Sequence, residues 1–231
     1  MPMQFPRRLE PELLDALPAG DPAAVRSRRD LKLLNLVMLH PRIMARHMRR
    51  FANDRPRKVV ELGAGDGSMM LRLARLLSRQ WPNVRTVLVD RQDIVRLATR
   101  EALAKLSWQG EPVTQDVFDY LDLAEPADII IANLFLHHFT PEQLTEIFRR
   151  SAELAPLFVA LEPRRSALPL AGSRTIWLLG CNYVSRHDAV ASVYAGFRGH
   201  ELSDLWQSGR GWTLHEENAG LWTHSFVAQK C

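Results

Sequence analysis

Lys58-Val59-Val60-Glu61-Leu62-Gly63-Ala64-Gly65-Asp66-Gly67-Ser68 is the stretch on which the reading of this sequence turns. A short apolar run closes on an acid, a glycine-rich turn follows, and a helical pattern runs from Met69 to Leu77. Strand, tight turn and helix bring backbone N–H groups up against a ligand. Glycine serves where the chain bends with positive φ or where a side chain would block that approach. The spacing is G-x-G-x-G, not the G-x-G-x-x-G of nicotinamide enzymes. Glu61 precedes the first glycine and Asp66 sits inside the turn. Carboxylates there repel a pyrophosphate and suit a ligand with positive charge. An ordinary strand-to-helix turn is the plainer alternative, so the flanks matter.

Downstream the pattern alternates strand and helix, the signature of a parallel sheet. Lys58–Leu62 reads as a strand, Asp66–Arg79 as a helix, Arg85–Val89 as a strand ending at Asp90, and Ile94–Leu106 as a helix. Pro112–Gln115 reads as a weak strand ending at Asp116, with Asp119 close by. Ala127–Asn133 is apolar on both faces and hence central. Thr140-Pro141-Glu142-Gln143 opens a helix with a capping box. Leu157–Leu161 is a strand ending in Glu162-Pro163. Ser185–Phe197 reads as a helix opened by Ser185 and Asp188 as a capping box, and Gly209–Gly211 as a loop. Thr213–Glu216 and Leu221–Ala228 read as an antiparallel pair around Asn218-Ala219-Gly220.

Upstream, prolines at 2, 6, 11 and 18 predict poor order over residues 1–20. Asp21-Pro22 reads as an N-cap and first helical residue of a helix to about Leu39, with Leu33, Leu36, Val37 and His40 on one face. Pro41 breaks it and starts a second helix with Ile43, Met44, Met48 and Phe51 on its apolar stripe.

The 231 residues suit one α/β domain with an appendage. Residues 1–58 carry 13 Lys and Arg against 6 Asp and Glu, and the remainder is acidic overall, since the whole chain is +4. A basic leading segment can bind an anionic partner, but it is more often the solvated side of amphipathic helices. No run of about 18 apolar residues predicts a membrane span, and no basic-then-apolar leader is visible before Glu10 and Glu12. Cys181 and Cys231 lack metal or redox spacing and read as free thiols in a reduced, cytoplasmic compartment.

The acidic G-x-G-x-G turn and the five β-α units with a terminal hairpin resemble the class I S-adenosylmethionine-dependent methyltransferases, over roughly residues 55–230. The likeness is to the small-molecule, ubiquinone-biosynthesis-like type. It implies an α/β fold with a doubly wound, mostly parallel seven-stranded sheet, the last strand antiparallel and inserted. It also implies S-adenosylmethionine as cofactor, a lid formed by residues 1–55, a core over 56–231, and a substrate-covering insert at about 164–206. Ligands in such sheets bind beyond the carboxyl ends of the strands. By resemblance, the cofactor is held by Glu61, Gly63, Ala64, Gly65 and Gly67; by Asp90 at the ribose, with Arg91 or Gln92 toward the adenine; by Asp116 and Val117 at the adenine; and by Asn133 and Leu134 at the methionine end. Asp90 and Asp116 also suit helix caps.

Methyl transfer to oxygen or nitrogen needs a proton removed, so a base is useful. His137 and His138 are the candidates, with Glu162 as a third catalytic candidate and Arg164-Arg165 as acceptor-binding or solvent-facing residues. A structural role for the histidine pair is the alternative. No metal site is expected, because adjacent histidines should diverge and no Cys or third His stands at ligand spacing. Trp177, Tyr183, Tyr194, Phe197 and Trp206 in the insert fit a flat acceptor or a satellite core. The expected function is methyl transfer to oxygen or carbon of a small phenolic or polyketide-like molecule. RNA or protein methylation through Arg46, Arg49 and Arg50 is a rival, although the signatures of nucleic-acid base methylation are absent. A non-catalytic cofactor-binding scaffold is another. The N-terminal helices can pack on a second subunit as readily as on their own domain, so a homodimer stays open.

Overall fold

The computed structural model describes residues 5–207, 209 and 211–231. Three helices come first: α1 (Leu13–Ala16), α2 (Pro22–Val37) and α3 (His40–Phe51). Then follow β1 (Lys58–Leu62), α4 (Ser68–Leu77), β2 (Val84–Asp90), α5 (Leu97–Ala104), β3 (Trp108–Thr114), α6 (Val117–Leu123), β4 (Ile129–Asn133), α7 (Pro141–Leu154) and β5 (Leu157–Pro163). The insert contributes α8 (Ala167–Ser173), α9 (Tyr183–Ala195) and α10 (Glu201–Leu205), and β6 (Trp212–Asn218) and β7 (Thr223–Lys230) close the chain. Leu136–His138 and Ile176–Leu179 are single 3-10 turns.

The seven strands lie in the order β3-β2-β1-β4-β5-β7-β6. The first five are mutually parallel, and β7 runs antiparallel to both β5 and β6. The expected doubly wound sheet, with its last strand inserted, is what the chain forms. Alternation along the central strands sorts side chains to two cores. Ile129 and Ile131 face α3 and α4, with Met44, Met48, Met70 and Leu73. Ile130 and Ala132 face α6 and α7, with Tyr120, Leu144 and Phe148. Each such large side chain, fully buried, contributes about 1.5–3 kcal/mol. Chain order reverses between β1 and β4, which opens a crevice at their carboxyl ends.

Several boundaries differ from the sequence reading, each for a local reason. β3 begins at Trp108, four residues earlier than expected, because Trp108 is fully buried and its indole N–H donates to the Trp81 carbonyl at 2.8 Å. Pro112 is tolerated because β3 is an edge strand. The expected helix Ile94–Leu106 shrinks to α5. α9 starts at Tyr183, and its cap is Asn182, whose side chain accepts from the Ser185 N–H. The Ser185–Asp188 capping box therefore does not form; the Ser185 hydroxyl donates to Asp30, and Asp188 is used elsewhere. α2 stops at Val37, and Leu39 takes a left-handed conformation (φ 58°) that turns the chain into α3. His40 thus belongs to α3 and is fully buried, while Leu36 and Val37 are 43% and 52% exposed. Residues 1–4 and Arg210 lie outside the described residues.

The expectation of poor order is overturned for residues 5–20. Arg7 donates from Nε to the Ala195 carbonyl and from Nη2 to the carbonyls of His137 and Phe139. The Arg8 N–H donates to Tyr194, and the N–H groups of Leu13 and Leu14 donate to the two carboxylate oxygens of Asp188 at 2.8 and 3.0 Å. These contacts strap the segment onto α9 and onto the turn after β4.

Candidate active site

The glycine turn leaves β1 at the crevice. Gly63, Gly65 and Gly67 all have positive φ (68°, 55° and 73°), conformations that glycine adopts without strain. A Cβ at Gly63 would overlap the Phe135 ring, whereas one at Gly65 would meet nothing within 4 Å; Gly65 faces open space. Asp90, at the end of β2, accepts the Gly65 N–H at 2.8 Å through Oδ2 and the Gln92 N–H at 2.9 Å through Oδ1. Each oxygen keeps a further lone pair for a ligand. Asp116 caps α6 by accepting the Phe118 N–H, and it lines the cavity with Val117. Arg91 is two-thirds exposed and lies 3.8 Å from Asp15. Asp119 and Gln92 are not among the residues that line the cavity.

Glu61 is 2% exposed, and its Oε2 has no hydrogen-bond partner among the described residues. Burial raises its pKa well above the usual carboxylate range, and the neighbouring charges of Asp66 and Asp90 add to that. A buried acid facing a cavity with an orphaned oxygen asks for a cation. Lys32 of α2 pairs instead with Asp66, tying the helix over the turn.

At the end of β4, Asn133 joins a buried chain of polar groups. Its Nδ2 donates to Asn35 of α2, its Oδ1 accepts from His40 Nδ1 at 2.7 Å, and His40 Nε2 accepts from the Thr223 hydroxyl at 2.8 Å. Burial depresses the His40 pKa to about 4, so the ring is neutral and this tautomer follows from the acceptor-only Oδ1. Leu134 has φ 52°, strained for a bulky residue. It is pinned by its N–H to the Leu161 carbonyl.

The next turn is organised by Glu162 at the end of β5. Its Oε1 accepts the N–H groups of Phe135 and Leu136, and its Oε2 accepts the N–H and Nδ1–H of His137. Fully buried and so engaged, Glu162 positions the turn and has no free oxygen for an acceptor. His137 Nε2 donates to Glu12 Oε1 at 3.2 Å. Burial opposes charge on His137, but the bonds to Glu12 and Glu162 outweigh it and raise its pKa to about 9. Burial likewise works against the Glu12 carboxylate, yet His137, His138 and Ser192 pull its pKa down to about 2. His137 is therefore an imidazolium held between two carboxylates, unsuited to take a proton at neutral pH. His138 differs. Burial and the His137 charge lower its pKa, and it lines the cavity as a neutral imidazole. The two rings do not diverge as expected; their centroids are 4.3 Å apart at 32°.

These groups border one cavity of about 920 Å³, which runs from the glycine turn to a chamber walled by α1, α2, α8 and α9. Residues of the insert line the cavity, but its aromatics do not. Phe197 and Trp206 are buried in the core with Phe148 and Phe226, Tyr194 packs on Phe5, and Trp177 and Tyr183 are exposed. The lining aromatics are Phe118, Phe135, Phe139 and Trp222. Arg164 and Arg165 also miss the cavity; Arg165 is buried, bonded to the Gly196 carbonyl and paired with Glu201. Arg46, Arg49 and Arg50 point away from it. Sequence reasoning missed Glu12, Lys32, Asn35, His40, Asp188 and Thr223, all supplied from outside the β-α core.

A family model described as a methyltransferase domain matches residues 59–155. Among solved structures, the plantazolicin methyltransferase BamL, crystallised with a triazolic desmethylPZN analogue and SAH, is similar with a TM-score of 0.65 at 11% identity, over 94% of this chain and 92% of that one. Magnesium protoporphyrin IX methyltransferase (ChlM) from Synechocystis, with bound SAM, gives 0.57 at 14% identity, over 92% and 88%. An O-methyltransferase family protein from Burkholderia thailandensis gives 0.59 at 18% identity, over 92% of this chain but 61% of that one. No curated protein matches the sequence. The fold is the one that these solved methyltransferases share. The likeness to a methyltransferase domain extends over residues 59–155, and two of these solved structures hold S-adenosylmethionine or its demethylated product, SAH. The crevice fits that cofactor: an unpartnered buried acid faces it, Gly65 leaves space for it, and Asp90 keeps acceptor capacity beside it. Among the described residues, no helix is long and apolar enough to cross a membrane.

Proposed function

We propose that this enzyme methylates an oxygen or carbon of a small phenolic or polyketide-like molecule, held in the chamber beneath residues 1–55 and the 164–206 insert. The cofactor, when bound, supplies the methyl group from a sulfonium centre. Glu61 faces its ammonium; Gly63, Ala64, Gly65 and Gly67 form the close backbone approach; Asp90 takes the ribose; Arg91, Asp116 and Val117 border the adenine; and Asn133 and Leu134 border the methionine end. An acceptor oxygen that takes that methyl group would have a proton to lose. His138 takes the proton that the acceptor loses. His137 and Glu162 hold the turn on which His138 sits. Because positive charge is dispersed in this displacement, positioning and exclusion of water carry much of the rate.

The observation that carries this reading is one continuous cavity, shared by the glycine turn and His138 and walled on one side by the N-terminal strap. A chamber of this size suits a small acceptor. The exposed arginines of α3 do not line it, so the rival reading of an RNA or protein substrate draws no support from the cavity. The deciding experiment is calorimetric titration with S-adenosylhomocysteine of the wild type and Asp90→Ala. Losing a charge-assisted contact costs about 1.5–3 kcal/mol, so the expected weakening is roughly tenfold to a hundredfold. Absence of binding to the wild type would sink the reading.

A further inference from the structure

Glu12, His137 and His138 meet on the chamber wall, each offering one ligand atom, and the three atoms lie within 4.8 Å of one another. We propose that they bind one borderline divalent metal ion of the Zn²⁺ type. Two imidazoles and one carboxylate suit zinc, manganese, iron or cobalt, whereas magnesium and calcium favour all-oxygen sets. The 3.2 Å between His137 Nε2 and Glu12 Oε1 is close to the separation of about 3.3 Å that two ligands take around a tetrahedral ion at roughly 2.0–2.1 Å.

The surroundings match those of a metal ligand. A coordinating histidine commonly gives its other ring N–H to a carboxylate, which fixes the tautomer and the ring plane. His137 does so: Nδ1–H donates to Glu162 at 2.7 Å, and Glu162 is itself held by two backbone N–H groups. That leaves Nε2 directed at Glu12. Glu12 in turn is held by the Ser192 hydroxyl. The ion replaces the proton that Nε2 shares with Glu12. Near the cluster stand three carboxylates, Glu12, Glu162 and Asp15, with Arg7 and Arg91 as the neighbouring cations. His138 and the open chamber complete one side, so the ion would keep positions free for an acceptor. With the ion bound, His138 serves as a ligand rather than as the base: a divalent ion on an acceptor hydroxyl lowers its pKa, and the proton passes to water. That role rests on the proposed function; the site itself does not.

The test uses the full chain, freed of metal by chelator. Zn²⁺ is titrated by calorimetry, and Co²⁺ binding is followed by visible absorbance. The expected result is one ion per chain, with affinity at least about tenfold weaker in Glu12→Gln and in His138→Ala and unchanged in His200→Ala, an exposed histidine. His138→Asn stands in if His138→Ala lowers the melting temperature. The proposal is overturned by no binding, by binding that either variant retains at full strength, or by equal loss in His200→Ala. S-adenosylhomocysteine binding by the same metal-free preparations reports separately on the methyltransferase site, so the two failures cannot be confused.

Discussion

Glu61 and His40 show how single buried groups in this crevice set the pH response. Glu61 is held in its neutral form by burial and by Asp66 and Asp90. A cation seated against its orphaned oxygen restores the charge, so cofactor binding should release a proton. The binding heat near neutral pH should then vary with the ionisation enthalpy of the buffer, and Glu61→Gln should abolish that dependence. His40 is depressed to about 4 from its usual 6.5. Above pH 6.5 it is neutral in both folded and unfolded chains, and its contribution is complete. As pH falls from 6.5 toward 4 only the unfolded chain takes the proton, and up to about 3 kcal/mol is lost. Urea melts across that range should show the loss, and His40→Gln should flatten it. Acid groups at strand ends, such as Asp90 and Asp116, were legible in sequence because their offset from the glycine turn marks them. Glu12, His40 and Asp188 were not: nothing local distinguishes an acid just before a four-residue helix, an acid within a longer one, or a histidine before a proline from a solvated one.

At the scale of elements, α1 matters more than its length suggests. A four-residue helix is too short to stand alone. It is held because Asp188 accepts two of its N–H groups and Arg7 clamps three carbonyls. Asp188→Ala leaves those N–H groups with water, at a cost of about 1–3 kcal/mol locally. Amide exchange at Leu13 and Leu14 should accelerate about tenfold or more, with the global melting temperature little changed. The strap escaped the sequence reading because prolines signal turns and disorder alike. What fixes it here is partners 130 to 188 residues away in the chain. The aromatic insert misled for a related reason: Phe197 and Trp206 have the composition of a pocket, but their register turns them into the core.

For the whole molecule, the mostly parallel seven-stranded sheet with its inserted antiparallel last strand followed from the β-α alternation and from one resemblance. Hydrophobic period and glycine spacing are local properties that the chain carries openly. The cavity was not legible, since four helices from both ends of the sequence wall it. Phe226 of β7 touches Phe148, Phe158 and Trp206 across the second core. Phe226→Ala should cost about 3–5 kcal/mol in denaturant melts, among the largest effects of any single truncation here.

The place of β7 also governs the order of assembly during synthesis. It follows the other six strands in the sequence, yet it lies between β5 and β6 and pairs with both. Until it arrives, β5 carries an unpaired edge and β6 has no partner in the sheet. The crevice residues that depend on this region wait as well, because His40 is oriented by the Thr223 hydroxyl. A nascent chain therefore holds an unpaired, sticky β5 edge from the completion of β5 at Pro163 until β7 begins at Thr223. Ligand binding can reward the fold only after the final residues of β7 have threaded into place.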